Sequence, residues 1–172
     1  MTNPLLTPST LPYQLPPFAD FKVEHYRPAF DEALALHDAE IATITDNPAA
    51  PTWENTVEAL ERSGQDLDRV IAVFSNLSGT DVTDEMEEIA ADIYPRLSAH
   101  YDAVYQNEVL YARIKEATPP ADDAEGQRLH DHLLRTFARK GADLDAAGKA
   151  RLSEINQRLS ALSEEFGRNL MA

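Results

Sequence analysis

The chain has 172 residues with 30 acidic and 15 basic side chains, a formal charge of −15, so any broad surface repels phosphate backbones and anionic lipid, and nucleic-acid binding is set aside. It contains no cysteine, which removes disulfides, thiolate metal sites and cysteine nucleophiles together. With 43% hydrophobic residues, 26% charged residues and six glycines, it reads as a globular chain rich in helix formers, long enough to bury roughly 70% of its unfolded surface.

The first 20 residues carry prolines at 4, 8, 12, 16 and 17, which forbid a regular helix and predict an extended arm. Leu11, Tyr13, Leu15 and Phe18 are expected to hold that arm as a strap on its own domain, the alternative being a ligand for a proline-reading domain. The first 21 residues contain no Lys or Arg and no apolar run of signal-peptide or membrane-span length, so a cytoplasmic location is expected. Next, Pro28 suits the first turn of a helix, where its missing N–H would go unpaired anyway. Phe30, Leu34, His37, Ile41 and Ile44 follow at helical spacing, and the helix should stop before the loop Asn47-Pro48-Ala49-Ala50-Pro51.

Thr52 then stands where its hydroxyl can accept the early N–H groups of a helix that carries Trp53, the only tryptophan. Trp53 is read as a core residue beside this cap, with an interface anchor as the other reading. Val57, Leu60, Leu67, Val70, Ile71, Phe74 and Leu77 mark the buried face of the stretch. Ser63-Gly64 interrupts it and implies either a break into two helices or a close helix crossing. Beyond Gly79-Thr80-Asp81, Thr83 opens a region with Met86, Ile89, Ile93, Leu97, Tyr101 and Val104 inward and Pro95 placed to kink it.

A short helix follows Asn107-Glu108 and ends before Pro119-Pro120. Another, from about Asp122 to Lys140, turns Leu129, Leu133, Thr136 and Phe137 inward and is capped by Gly141. The last, from Asp145 to Ala172, carries Leu152, Ile155, Leu159, Leu162 and Phe166 at three-four-three-four spacing, with Glu164 and Arg168 paired on its outer face. Leu170 and Met171 continue the pattern, and no stop signal precedes the end. Truncation within this helix, with apolar surface left exposed on it, is therefore expected. Together these elements predict an all-α bundle of about six helices, with an arm over residues 1–20 and a helical domain over 21–172.

The chemistry is sparse. The histidines His25, His37, His100, His130 and His132 form no H-E-x-x-H and no i,i+4 pair. On a helix turning about 100° per residue, His130 and His132 point roughly 200° apart and cannot share an ion. His37, among apolar positions, is expected to be half-buried and hydrogen-bonded. Asp84, Glu88 and Asp92 share a face that could hold a divalent cation or an acid–base pair, against the plainer reading of a solvated face. No serine has a G-x-S-x-G setting and no glycine cluster cradles phosphate. No catalytic, cofactor-binding or metal residue is assigned.

Six stretches nevertheless carry a resemblance: LPPF at 15–18, EHYRPAF at 24–30, PTWENTVEALERSG at 51–64, LDRVIAVFSNL at 67–77, PRLSAHYDAVYQNEVLYARI at 95–114 and INQRLSALSEEFGRNL at 155–170. With them the chain resembles the N-terminal helical region of the thimet-oligopeptidase-type zinc metallopeptidases, residues 95–114 looking most like the peptidyl-dipeptidase branch. The resemblance implies a cytosolic zinc peptidase that cuts short peptides in a deep channel walled by helices, with this region as part of the wall, gating access. The dipeptidase branch releases C-terminal dipeptides. In such enzymes two histidines and a downstream glutamate bind zinc, and the glutamate of H-E-x-x-H activates water. No residue of this chain matches that motif, so zinc is expected in a catalytic part outside it, that catalytic domain and short peptides are the expected partners, and the chain alone is expected to be inactive. The alternative is a stand-alone acidic helical module that captures peptides or a partner protein without cutting.

Overall fold

A computed structural model of the protein describes residues 3–80 and 83–171, and the side chains of Arg168 and Met171 lie outside the described set. Three 3-10 turns, Pro4–Leu6, Pro12–Gln14 and Phe18–Asp20, lead into α1 (Val23–Thr45). A π-helical turn, Trp53–Glu58, runs into the single turn α2 (Ala59–Arg62), and α3 (Gln65–Thr80), α4 (Asp84–Tyr105), α5 (Glu108–Glu116), α6 (Ala124–Arg139) and α7 (Ala146–Met171) follow. The described residues contain no strand, and the expected all-α architecture stands.

The chain groups into two units, residues 1–38 with 64–94 and residues 39–63 with 95–172. In the first, α1 buries Tyr26, Phe30, Leu34 and His37, α3 buries Leu67, Val70, Val73 and Phe74, and α4 buries Met86, Ile89 and Ile93. These are the positions that a 3.6-residue period selects. Phe74 is the hub: its ring meets Tyr26 at 5.1 Å and Phe30 at 5.4 Å, both edge-on, and Tyr94 at 6.1 Å, within the range that favours aromatic pairs. The Thr83 hydroxyl accepts the Met86 N–H at 3.3 Å and opens α4, which then continues through Pro95.

Three expectations for the N-terminal third are corrected. Pro28 lies inside α1 rather than in its first turn, because the helix already begins at Val23; the ring leaves the Glu24 carbonyl without its usual donor, which the end of a helix tolerates. The arm is not simply extended but is folded into three tight turns, since a fixed proline φ suits 3-10 geometry as well as polyproline geometry. Nor do Leu11, Tyr13, Leu15 and Phe18 hold it down, for all four are exposed, Tyr13 at 98%. The anchor is Leu5, fully buried. Around it, Asn3 Nδ2 donates to the His25 carbonyl at 2.7 Å and Arg69 Nη1 to the Leu6 carbonyl at 3.4 Å.

At Ser63-Gly64 the chain breaks. Gly64 takes φ +75° between α2 and α3, a conformation that costs an L-residue roughly 1–2 kcal/mol. A Cβ added there would also stand 3.2 Å from the His37 ring, so the glycine serves a turn and a close approach together.

The second unit is built on Ile41, Ile44, Val57, Val104, Leu110, Tyr111, Ile114, Leu133 and Phe137, with Trp53, Leu60, Tyr105 and Leu129 packed at its margin. Short polar side chains set its helix starts: Asn107 accepts the Leu110 N–H at 2.9 Å, Asp123 that of Gly126 at 2.9 Å and Asp145 that of Gly148 at 2.7 Å. Gly141, at φ +100°, ends α6 as expected, and the Ala142 N–H returns to the Phe137 carbonyl at 3.0 Å.

Burial pushes the Tyr26 phenol up, and burial together with the Asp143 carboxylate pushes Tyr111 up. Both folded values lie above the ordinary 10.0, so the stability they confer is complete below about pH 10 and is lost as pH rises through the folded values. Tyr111→Phe is expected to move the alkaline unfolding midpoint to higher pH, followed by circular dichroism. An unchanged midpoint would contradict this account of Tyr111.

Candidate functional site

The PTWENT stretch is held by a side chain from far along the sequence. Thr52 Oγ1 accepts the Asn55 N–H at 3.1 Å, while Asn55 Oδ1 accepts the Thr52 N–H at 2.9 Å, a reciprocal cap. Asn55 Oδ1 also accepts the Thr56 hydroxyl at 2.8 Å, and Asn55 Nδ2 donates to the Ala50 carbonyl at 3.0 Å. Into this loop reaches Arg113 of α5, only 8% exposed. Its Nη1 donates to the carbonyls of Asn47 at 3.0 Å and Ala49 at 3.2 Å, and its Nη2 to Asn55 Oδ1 at 3.3 Å. A guanidinium engaged on three acceptors is a clamp on the loop, and the Nε of Arg113 is buried with no hydrogen-bond partner among the described residues. Trp53 packs beside this node, half-buried against the core, its ring 6.2 Å from that of His130.

The titratable groups singled out in the sequence do not converge. His130 Nε2 donates to the Ile114 carbonyl at 2.7 Å, His132 lies 3.4 Å from the Thr136 hydroxyl, and His25 Nδ1 accepts the Lys22 N–H at 3.1 Å. His37 and His100 are buried. Asp84, Glu88 and Asp92 are exposed, and Arg27 lies along them, paired with the Asp92 carboxylate and donating to the Glu88 carbonyl at 3.4 Å. Beside them is a cleft of about 390 Å³ lined by Lys22, Glu24, Arg27, Glu85, Glu88 and Ile89, whose acids and bases interleave. No group of three or more His, Asp or Glu among the described residues is placed to hold a metal ion. These residues therefore offer no donor set for the zinc, which the resemblance places in a part outside them.

The feature that stands out is α7. Its docked side carries Leu152, packed at Gly141, and three polar contacts: Lys149 Nζ meets Glu108 Oε1 at 2.7 Å, Gln106 Nε2 donates to Ser153 Oγ at 3.4 Å, and Asn156 Nδ2 donates to Asp102 Oδ1 at 2.7 Å. The lysine's hydrogen bond and charge hold the Glu108 carboxyl below its ordinary range. Asp102 is buried, and its Oδ2 has no hydrogen-bond partner among the described residues. Roughly a third of a turn round the helix, at about 100° per residue, Ile155, Leu159, Leu162, Phe166 and Leu170 face outward, Phe166 at 69% and Leu170 at 75% exposure. The expected apolar surface on the last helix is present. The expected pairing of Glu164 with Arg168 falls on a side chain outside the described residues, as does the placement of Met171.

Neither Arg113 nor Asp102 was singled out in the sequence. Arg113 did leave a sign, a charge set between Leu110 and Ile114 within an apolar run.

No family model matches the chain. Among curated proteins it is similar to dipeptidyl carboxypeptidase of Salmonella typhimurium, 38% identical over 175 residues, which is 99% of this chain and 26% of that protein. Dipeptidyl carboxypeptidase of Escherichia coli is 36% identical over 174 residues, again 99% of this chain and 26% of the relative. Oligopeptidase A of Salmonella typhimurium is 31% identical over 175 residues, 99% of this chain and 25% of the relative. The chain thus spans about a quarter of the length of the relatives it matches, and that quarter is their first.

Proposed function

Because this chain corresponds to the N-terminal region of the thimet-oligopeptidase-type peptidases, we propose that it is a noncatalytic channel wall of a cytosolic zinc peptidase acting on short peptides, and that it restricts entry to the active site. The observation that carries this reading is the match over 99% of the chain to the first quarter of dipeptidyl carboxypeptidases. The helical architecture supports it, since a wall needs rigid elements and no reacting group. Its partner is the catalytic portion of a longer polypeptide, which supplies the zinc and its ligands.

Two samples test the proposal. The purified chain with added zinc should hydrolyse no short peptide. Fused ahead of the remaining three quarters of the Escherichia coli dipeptidyl carboxypeptidase, it should restore a turnover that neither piece shows alone. Zinc-dependent hydrolysis by the isolated chain, free of contaminating peptidase, would overturn the noncatalytic role. A fusion that folds but never turns over would overturn the assignment as a wall.

A further inference from the structure

We infer that the apolar face of α7 is the surface on which the catalytic portion docks, through an amphipathic helix of its own, an inference that rests on the function proposed above. Leu152, Ile155, Leu159, Leu162 and Phe166 recur at alternating spacings of three and four, the 3.5-residue repeat by which one helix receives another. From Ile155 onward these side chains are exposed, whereas Leu152, at the start of the row, packs at Gly141, and the polar bonds that fasten α7, at Lys149, Ser153 and Asn156, lie on a different face. The seam is therefore free although the helix that carries it is already in place.

Charge and connectivity select the occupant. Residues 146–171 hold Lys149, Arg151, Arg158 and Arg168 against Glu154, Glu164 and Glu165, an excess of one positive charge in a chain of −15. The seam helix is thus spared the acidic excess borne elsewhere. A second copy would give up its translational freedom on docking. A segment of the same polypeptide meets the seam at high effective concentration instead. The relatives extend over about three quarters of their length beyond the matched part, so such a segment has ample length to come from. Exposed Arg158 and Glu165 flank the seam, so the docking helix should place an acid opposite the first and a base opposite the second.

The test is hydroxyl-radical footprinting of Leu159, Leu162 and Phe166 in the isolated chain and in the fusion to the rest of the Escherichia coli enzyme. The three side chains should be oxidised readily in the isolated chain and protected several-fold in the fusion. The double substitution Leu159→Glu, Phe166→Glu should leave the melting of the isolated chain unchanged and abolish the protection of Leu162, the probe that remains. A fusion that hydrolyses peptides while its seam is oxidised as in the isolated chain would overturn the docking site and leave the proposed function standing. A protected seam in a folded but inactive fusion would support the docking site and count against the function. Light scattering that shows the isolated chain to be a dimer, with the seam protected, would assign the face to a second copy and overturn the inference.

Discussion

Arg113→Met should lower the stability of the second unit by about 3 kcal/mol, because it leaves two loop carbonyls and the Asn55 side chain without a charged donor inside the protein. The loss should exceed the apolar gain from methionine, since three part-buried acceptors lose a charged donor at once. Arg113→Lys should recover part of the loss only. An ammonium on a single stem cannot bond the Asn47 and Ala49 carbonyls through one nitrogen and Asn55 through another, as the planar fork does. Urea unfolding followed by Trp53 fluorescence reads the effect at its source, because Trp53 sits beside the clamp. If the methionine variant unfolds within about 0.5 kcal/mol of the parent, the size of an ordinary surface substitution, the guanidinium is not what holds PTWENT in place.

What could be read from the sequence was local. Thr52, Asn107 and Gly141 announced helix ends because a cap is made within a few residues of itself. Phe30, Leu34, Ile41, Phe74, Ile93 and Phe137 announced buried faces because helical period alone selects them. Arg113 could not be placed by such reasoning, since its acceptors lie some 58 to 66 residues earlier and only the fold brings them together. The same limit applied to α7. Its spacing marked an apolar face, but whether anything within this chain covers that face depends on elements the period does not describe. In the arm, local reasoning ranked the large residues Leu11, Tyr13, Leu15 and Phe18 above Leu5, although size says nothing about which side of a proline turn meets the domain.

Leu5→Ala should therefore cost about 3 kcal/mol, the order found when a fully buried leucine is cut back and its cavity cannot close. The cost should fall on the arm as a unit. Leu5 holds the first 3-10 turn, and the Asn3 bond to the His25 carbonyl and the Arg69 bond to the Leu6 carbonyl form only while that turn is seated. Tyr13 supplies the contrast within the same arm. It is 98% exposed and sits at φ +58°, followed by Gln14 at φ +55°, a left-handed pair that L-residues adopt at a cost and glycine adopts freely. Tyr13→Gly should thus match the parent or slightly exceed it, since relief of the strained φ offsets the greater freedom of glycine in the unfolded chain. Thermal melts of both variants, with limited proteolysis of residues 7–17, decide the matter. Should Tyr13→Gly be the destabilised one and Leu5→Ala the neutral one, the arm is held by its exposed side chains after all, and the anchor assigned to Leu5 is wrong.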